Sequence, residues 1–153
     1  MKRILSFFLA MTFLLSAVSA VQATSEIGQT DIQVVHTEDG GYLIIELYGS
    51  SNMTRAAITK TKSYTRYDEN DVMLWKASIT GSFTYDGRTA SCTSSSCSVT
   101  IYDNHWYTIS KTAWTDENYA KATVEMGRKL LGVTVHRETY DLSILCDRNG
   151  NLS

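Results

Sequence analysis

The chain contains no proline and only three histidines and three cysteines, and it lacks a single-sign charge run, a helix-period stretch of useful length and an internal repeat. Average usage would supply about six or seven prolines in this length. Their absence excludes polyproline ligands, stiff Pro-rich linkers, a native cis-proline and the Leu-Pro-x-Thr-Gly wall-sorting signal. None of His36, His105 and His136 has a second histidine within five residues, so metal-ligand spacing is missing. Basic excess is missing too. With Lys2 and Arg3 set aside as part of a leader, twelve Lys and Arg face sixteen Asp and Glu, a mild net −4 that excludes the electrostatic footprint of a nucleic-acid binder. What is present is material for a core: 43% hydrophobic and 10% aromatic residues in 153 predict one globular domain.

The leader has three parts. Lys2 and Arg3 precede the apolar run from Ile4 to Leu15, and small residues from Ser16 to Ala23 follow. This pattern predicts a secretory signal peptide over residues 1–23. The run is shorter than the ~20 apolar residues that a bilayer core requires, which argues against an uncleaved anchor. Val18-Ser19-Ala20 and Val21-Gln22-Ala23 both offer small residues for cleavage, and the second is preferred, so the mature chain is expected to start near Thr24. No lipidatable cysteine follows the exit and the tail Asn149-Gly150-Asn151-Leu152-Ser153 is polar, so the expected localisation is extracellular, with no membrane association after signal cleavage.

Export implies oxidising surroundings, and a disulfide is expected among Cys92, Cys97 and Cys146. Cys92 to Cys146 would close about 55 residues, for about 4 kcal/mol in the chain-entropy account, and Cys92 to Cys97 about 2. Cys146 ends the alternation Tyr140, Leu142, Ile144 and should point inward. Against it, Cys92 and Cys97 flank Thr93-Ser94-Ser95-Ser96 as a four-residue hairpin loop would, setting them face to face. A Cys97 to Cys146 bridge is the third pairing.

Period-two patterning dominates the remainder. From Val72 to Tyr85, Trp75, Ala77, Ile79, Gly81, Phe83 and Tyr85 occupy one face, and Lys76, Ser78, Thr80, Ser82 and Thr84 the other, the signature of a long half-buried strand. Asp86-Gly87 reads as a hairpin turn, with Thr89 to Cys92 returning. Further strands are expected from Leu43-Ile45-Leu47, Ala56 to Tyr67, Val99-Ile101, Trp106 to Trp114, Ala120 to Met126, Leu131-Val133-Val135 and Tyr140 to Cys146. Residues 24–41 are expected to be a partly disordered N-terminal segment or to add one edge strand from Ile32, Val34 and Val35; the single domain spans 42–153. In Ala56 to Tyr67 the row Lys60, Lys62 and Arg66 reads as protection of a sheet edge. The fold class is all-β: an immunoglobulin-like antiparallel β-sandwich of about seven to nine strands.

Trp75, the run Gly81-Ser82-Phe83-Thr84-Tyr85-Asp86-Gly87 with Cys92, Asp103-x-x-Trp106, Asn118-Tyr119-Ala120 and the terminal Leu145-Cys146-Asp147-Arg148-Asn149-Gly150-Asn151-Leu152-Ser153 resemble a family of short exported proteins from Gram-positive bacteria, a domain of unknown function. The resemblance covers roughly residues 72–153. It implies a secreted β-sandwich in which Cys92 and Cys146 match the early and late cysteines, supporting the long bridge. Cys97 departs from the pattern, and no activity is carried over.

Catalytic signals are poor. Asp103 and His105 could be two members of a hydrolase triad, but no Gly-x-Ser-x-Gly elbow or cysteine-protease context surrounds any nucleophile. His136-Arg137-Glu138 matches half of a zinc deaminase signature whose Pro-Cys-x-x-Cys half is absent. Asp147 to Asn151 places oxygen ligands at alternate positions, but its glycine is misplaced for calcium and no closing Glu follows. It reads as a turn, as does Asp68-Glu69-Asn70-Asp71. No cofactor or metal is expected. The candidate ligand-binding residues are the aromatics Trp106, Tyr107 and Trp114, with Trp106 and Trp114 sharing a face if the strand is unbroken. The leading expectation is a non-catalytic extracellular module binding a protein or glycan. The alternatives are a hydrolase using Asp103 and His105, and a secreted effector or antimicrobial protein.

Overall fold

A computed structural model describes residues 31–49 and 57–153; the expected signal peptide, residues 24–30 and Ala56, where a strand was expected to start, lie outside the described residues. Eight strands follow in chain order: β1 (Asp31–His36), β2 (Tyr42–Tyr48), β3 (Ala57–Tyr67), β4 (Met73–Tyr85), β5 (Ala90–Ile101), β6 (Trp106–Asp116), β7 (Tyr119–Leu130) and β8 (Val133–Leu145). They form two antiparallel sheets, β1-β2-β3-β4-β5 and β6-β7-β8, so the expected all-β sandwich and its strand number are found. Strand order is sequential in both sheets, a meander rather than the Greek-key path of immunoglobulin domains.

The long strand foreseen from Val72 is β4, and its burial alternates as its sequence does: Trp75, Ala77, Ile79 and Phe83 are buried. They meet Ala120, Ala122, Val124 and Met126 of β7 and Leu142 and Ile144 of β8 to form the core. The two sheets are in tight contact at Gly81, where a Cβ would stand 2.7 Å from the Ala120 methyl and from the Phe83 ring. A side chain there would have to displace the Ala120 methyl and the Phe83 ring.

Three features differ from expectation. β5 is one continuous strand, so Thr93 to Ser96 is not a hairpin loop. A bulge near Thr93 sets both Cys92 and Cys97 opposite inward-facing residues of β4, Phe83 and Ile79. Five residues of extended chain hold the two cysteines about 16 Å apart, so they cannot bridge. Second, β3 is the centre of the five-stranded sheet, not an edge. Lys60, Lys62 and Arg66 lie opposite Gly81, Ile79 and Trp75, on the side facing the smaller sheet. Third, β6 carries a bulge between Thr108 and Ser110, and one extra residue reverses the facing of everything beyond it.

Candidate functional site

That bulge decides the fate of the aromatic residues. Trp106 pairs with Arg128 and points inward, 5% exposed, 6.4 Å from Trp75 between ring centroids. It is a core residue, and the expectation that it shares a face with Trp114 does not hold. Tyr107 faces outward but is engaged internally. Its ring covers Gly127, where a Cβ would lie 2.6 Å away, its hydroxyl bonds Thr134 at 2.6 Å, and Lys129 Nζ sits 4.2 Å above it.

Trp114 lies beyond the bulge and is 41% exposed on the outer face of the three-stranded sheet. It pairs with Lys121, which pairs in turn with Ser143. Together with Asp141 these side chains line a shallow recess of about 340 Å³. Lys121 donates to Asp116 at 2.5 Å and stands 5.2 Å from the centre of the Tyr119 ring; the hydrogen bond to Asp116 raises its pKa above the usual lysine value. Asp141 accepts from the Thr123 hydroxyl at 2.6 Å. The recess thus offers one flat ring, a cation, a carboxylate and a hydroxyl, held by a sheet and not by a loop.

Asp103 and His105 do come together. His105 Nδ1 lies 2.7 Å from Asp103 Oδ1, and the His105 amide donates to the same oxygen at 2.9 Å. Burial alone would raise the Asp103 pKa, but the His105 amide and ring outweigh it and hold the carboxyl below its ordinary value. Among the described residues no hydroxyl or thiol bonds the other ring nitrogen of His105. The pair is an oriented imidazole in an exposed turn, without a nucleophile at hand.

Sequence reasoning missed a second polar cluster. Arg66 is fully buried, and its Nη2 donates to both oxygens of Asp39 at 2.7 and 2.6 Å. Its Nη1 donates to the Tyr67 carbonyl, Glu138 stands 3.9 Å away, and Nε has no partner. Tyr140 donates to Glu138 at 2.6 Å, and burial followed by that bond pushes its phenol pKa far up. His36 and His136 complete the walls of an open cleft of about 810 Å³ beside these groups. The signal was available in phase: Arg66 falls in step with Ile58 and Tyr64, an inward row.

The three cysteines are free thiols in the structure, so the expected Cys92–Cys146 bridge is not formed in it. Cys146 is buried. Its amide donates to the Asn118 carbonyl at 3.0 Å, and the Cys92 amide donates to the neighbouring Glu117 carbonyl at 2.8 Å. The two cysteines therefore flank one turn, and Cys97 lies elsewhere along β5. Burial raises the pKa of all three thiols. In the turns over residues 147–151 and 68–71 the first aspartate accepts hydrogen bonds from residues just after it in the chain. Asp147 accepts from the Asn149 and Asn151 amides and Asp68 from those of Asn70 and Val72. Among the described residues no group of three His, Cys, Asp or Glu could hold a metal ion.

Compared with protein-family models, curated proteins and solved structures, the chain matches none.

Proposed function

We propose that the chain is an exported, non-catalytic binding module that holds a saccharide on the outer face of β6-β7-β8. The observation that carries this reading is Trp114, turned outward by the β6 bulge and flanked by Lys121, Asp141 and Ser143. A pyranose presents an apolar C–H face and a rim of hydroxyls. The indole supplies a flat apolar platform at low entropic cost, and the carboxylate, ammonium and hydroxyl supply hydrogen-bond partners for the rim. The signal-peptide pattern and the resemblance to short exported proteins support the compartment.

The same reading includes an oxidised Cys92–Cys146 pair. Adjacent carbonyls of one turn, Glu117 and Asn118, receive the amides of the two cysteines, which favours this pairing over either involving Cys97. Mass spectrometry of the exported protein should find a start near Thr24 and a mass two hydrogens below that of the reduced chain. Three alkylatable thiols in the native protein would remove the bridge from the reading. For the ligand, the test is a glycan array probed with wild type and Trp114→Ala. Binding lost in the variant, with an unchanged melting curve, is expected; an array without signal, or one that Trp114→Ala does not change, refutes the saccharide site.

A further inference from the structure

The far end of the β7–β8 hairpin has features that neither the core nor the Trp114 recess uses. Leu130 continues the inward phase of Val124 and Met126, yet it and its cross-strand partner Val133 are 57% and 65% exposed, because the opposing sheet does not extend over them. Between them Leu131-Gly132 closes a two-residue loop in which φ is 50° and 82°. Two positive φ values in succession are the mark of a type I′ turn, whose first position suits Asn, Asp or Gly. A leucine there is strained, and at 97% exposure it packs on nothing. The fold gains nothing from this residue at its own apex.

Charge is sorted around the tip. From Met126 to Arg137 there is no acidic residue, whereas Arg128, Lys129 and Arg137 are all exposed. Over the whole chain acids outnumber Lys and Arg by 16 to 14. The groups that hold these cations are set back from the apex. Lys129 rests over the Tyr107 ring and Arg137 reaches Glu125 at 3.3 Å, while the charge of Arg128 helps keep the Asp103 carboxyl below its ordinary pKa. A convex aliphatic wedge with a cationic collar complements a surface that is negative outside and apolar beneath. A second copy docking tip to tip would set Arg128 and Lys129 against their own counterparts.

We propose that this hairpin tip docks the protein reversibly on an anionic lipid bilayer, with Leu130, Leu131 and Val133 entering the headgroup boundary and Arg128, Lys129 and Arg137 at the level of the lipid phosphates. This departs from the expectation of no membrane association after signal cleavage, which rested on the absence of a lipidatable cysteine after the leader and on the polar tail. The Trp114 recess lies toward the opposite end of the sheet. Lys121 and Leu131 are ten residues apart along β7 and its turn, about 33 Å, so both sites are free to act together.

The experiment uses Leu131→Asn, which creates the Asn-Gly pair that the turn prefers. Exported protein is sedimented with vesicles of phosphatidylcholine alone and of phosphatidylcholine mixed with phosphatidylglycerol. Wild type should bind the mixed vesicles, less so as salt is raised, and not the neutral ones. The variant should melt higher than wild type yet bind the mixed vesicles about tenfold or more weakly. The proposal is overturned if wild type ignores both vesicles, binds both equally, or is matched by Leu131→Asn. A wild-type dimer in solution that Leu131→Asn dissolves would assign the tip to a second copy and overturn it equally. Trp114→Ala should leave vesicle binding unchanged, which separates this outcome from that of the saccharide site.

Discussion

Removing the Asp39 carboxylate should destabilise the protein more than removing the cation it serves. Arg66 is fully buried, and Asp39 gives it two short bonds while standing 59% exposed on the β1–β2 turn. In Asp39→Ala the guanidinium keeps the Tyr67 carbonyl and Glu138 at 3.9 Å, a poor substitute for a bidentate partner. Breaking a buried pair typically costs 3–5 kcal/mol, but water reaches the Asp39 side, so about 2 kcal/mol is the fitting figure. Arg66→Met removes the buried charge itself and leaves Asp39 free in water, at a cost of about 1 kcal/mol or less. Urea melts followed by tryptophan fluorescence would measure both, and an unchanged slope keeps the comparison sound. Asp39→Ala within about 0.5 kcal/mol of wild type, or Arg66→Met costing more than Asp39→Ala, would refute the reasoning. Acid adds a second reading. The Thr37 hydroxyl first, then Arg66, lower the Asp39 pKa, so its contribution is complete above the ordinary carboxylate pKa and is lost as pH falls through the lower folded value. Below about pH 4 the gap between wild type and Asp39→Ala should therefore close.

Gly81→Ala should cost about 2–3 kcal/mol, because its methyl would meet Ala120 and Phe83 at 2.7 Å. Ala120→Gly in the same chain should recover part of the loss, and simple additivity of the two changes in denaturant melts would deny the contact. If the proposed Cys92–Cys146 bridge forms on export, Cys92→Ser should lose about 4 kcal/mol against the oxidised wild type, and reductant should bring wild type down by a similar amount. Cys97→Ser should melt as wild type does under both conditions, and a wild-type melting point indifferent to reductant would exclude the staple.

Periodicity carried the sequence reading as far as the ladders stay regular. β4 was legible almost residue by residue because Trp75, Ala77, Ile79 and Phe83 keep strict phase over the whole strand, and β8 was legible from Tyr140 to Leu145 for the same reason. β5 was not, since Cys92 to Ser98 is nearly all small and polar and reads as a loop. Its partner strand holds it extended through pairing that no local residue announces. The candidate site was lost in the same way. Trp106 and Trp114 are eight residues apart, an even spacing that puts both on one face of an unbroken strand, and the bulge after Thr108 puts them on opposite faces. An inserted residue has no composition of its own: Ile109 looks like any other strand residue. Its effect is to divide one aromatic strand into a half that builds the core and a half that faces solvent. Arg66 adds the converse case, where phase was readable and residue type misled. A cation in an inward row has the composition of an edge guard, whereas here a carboxylate from a distant turn, Asp39, closes over it. Side-chain facing follows from ladder register, and register here is set by four bulges that the period-two pattern alone does not reveal.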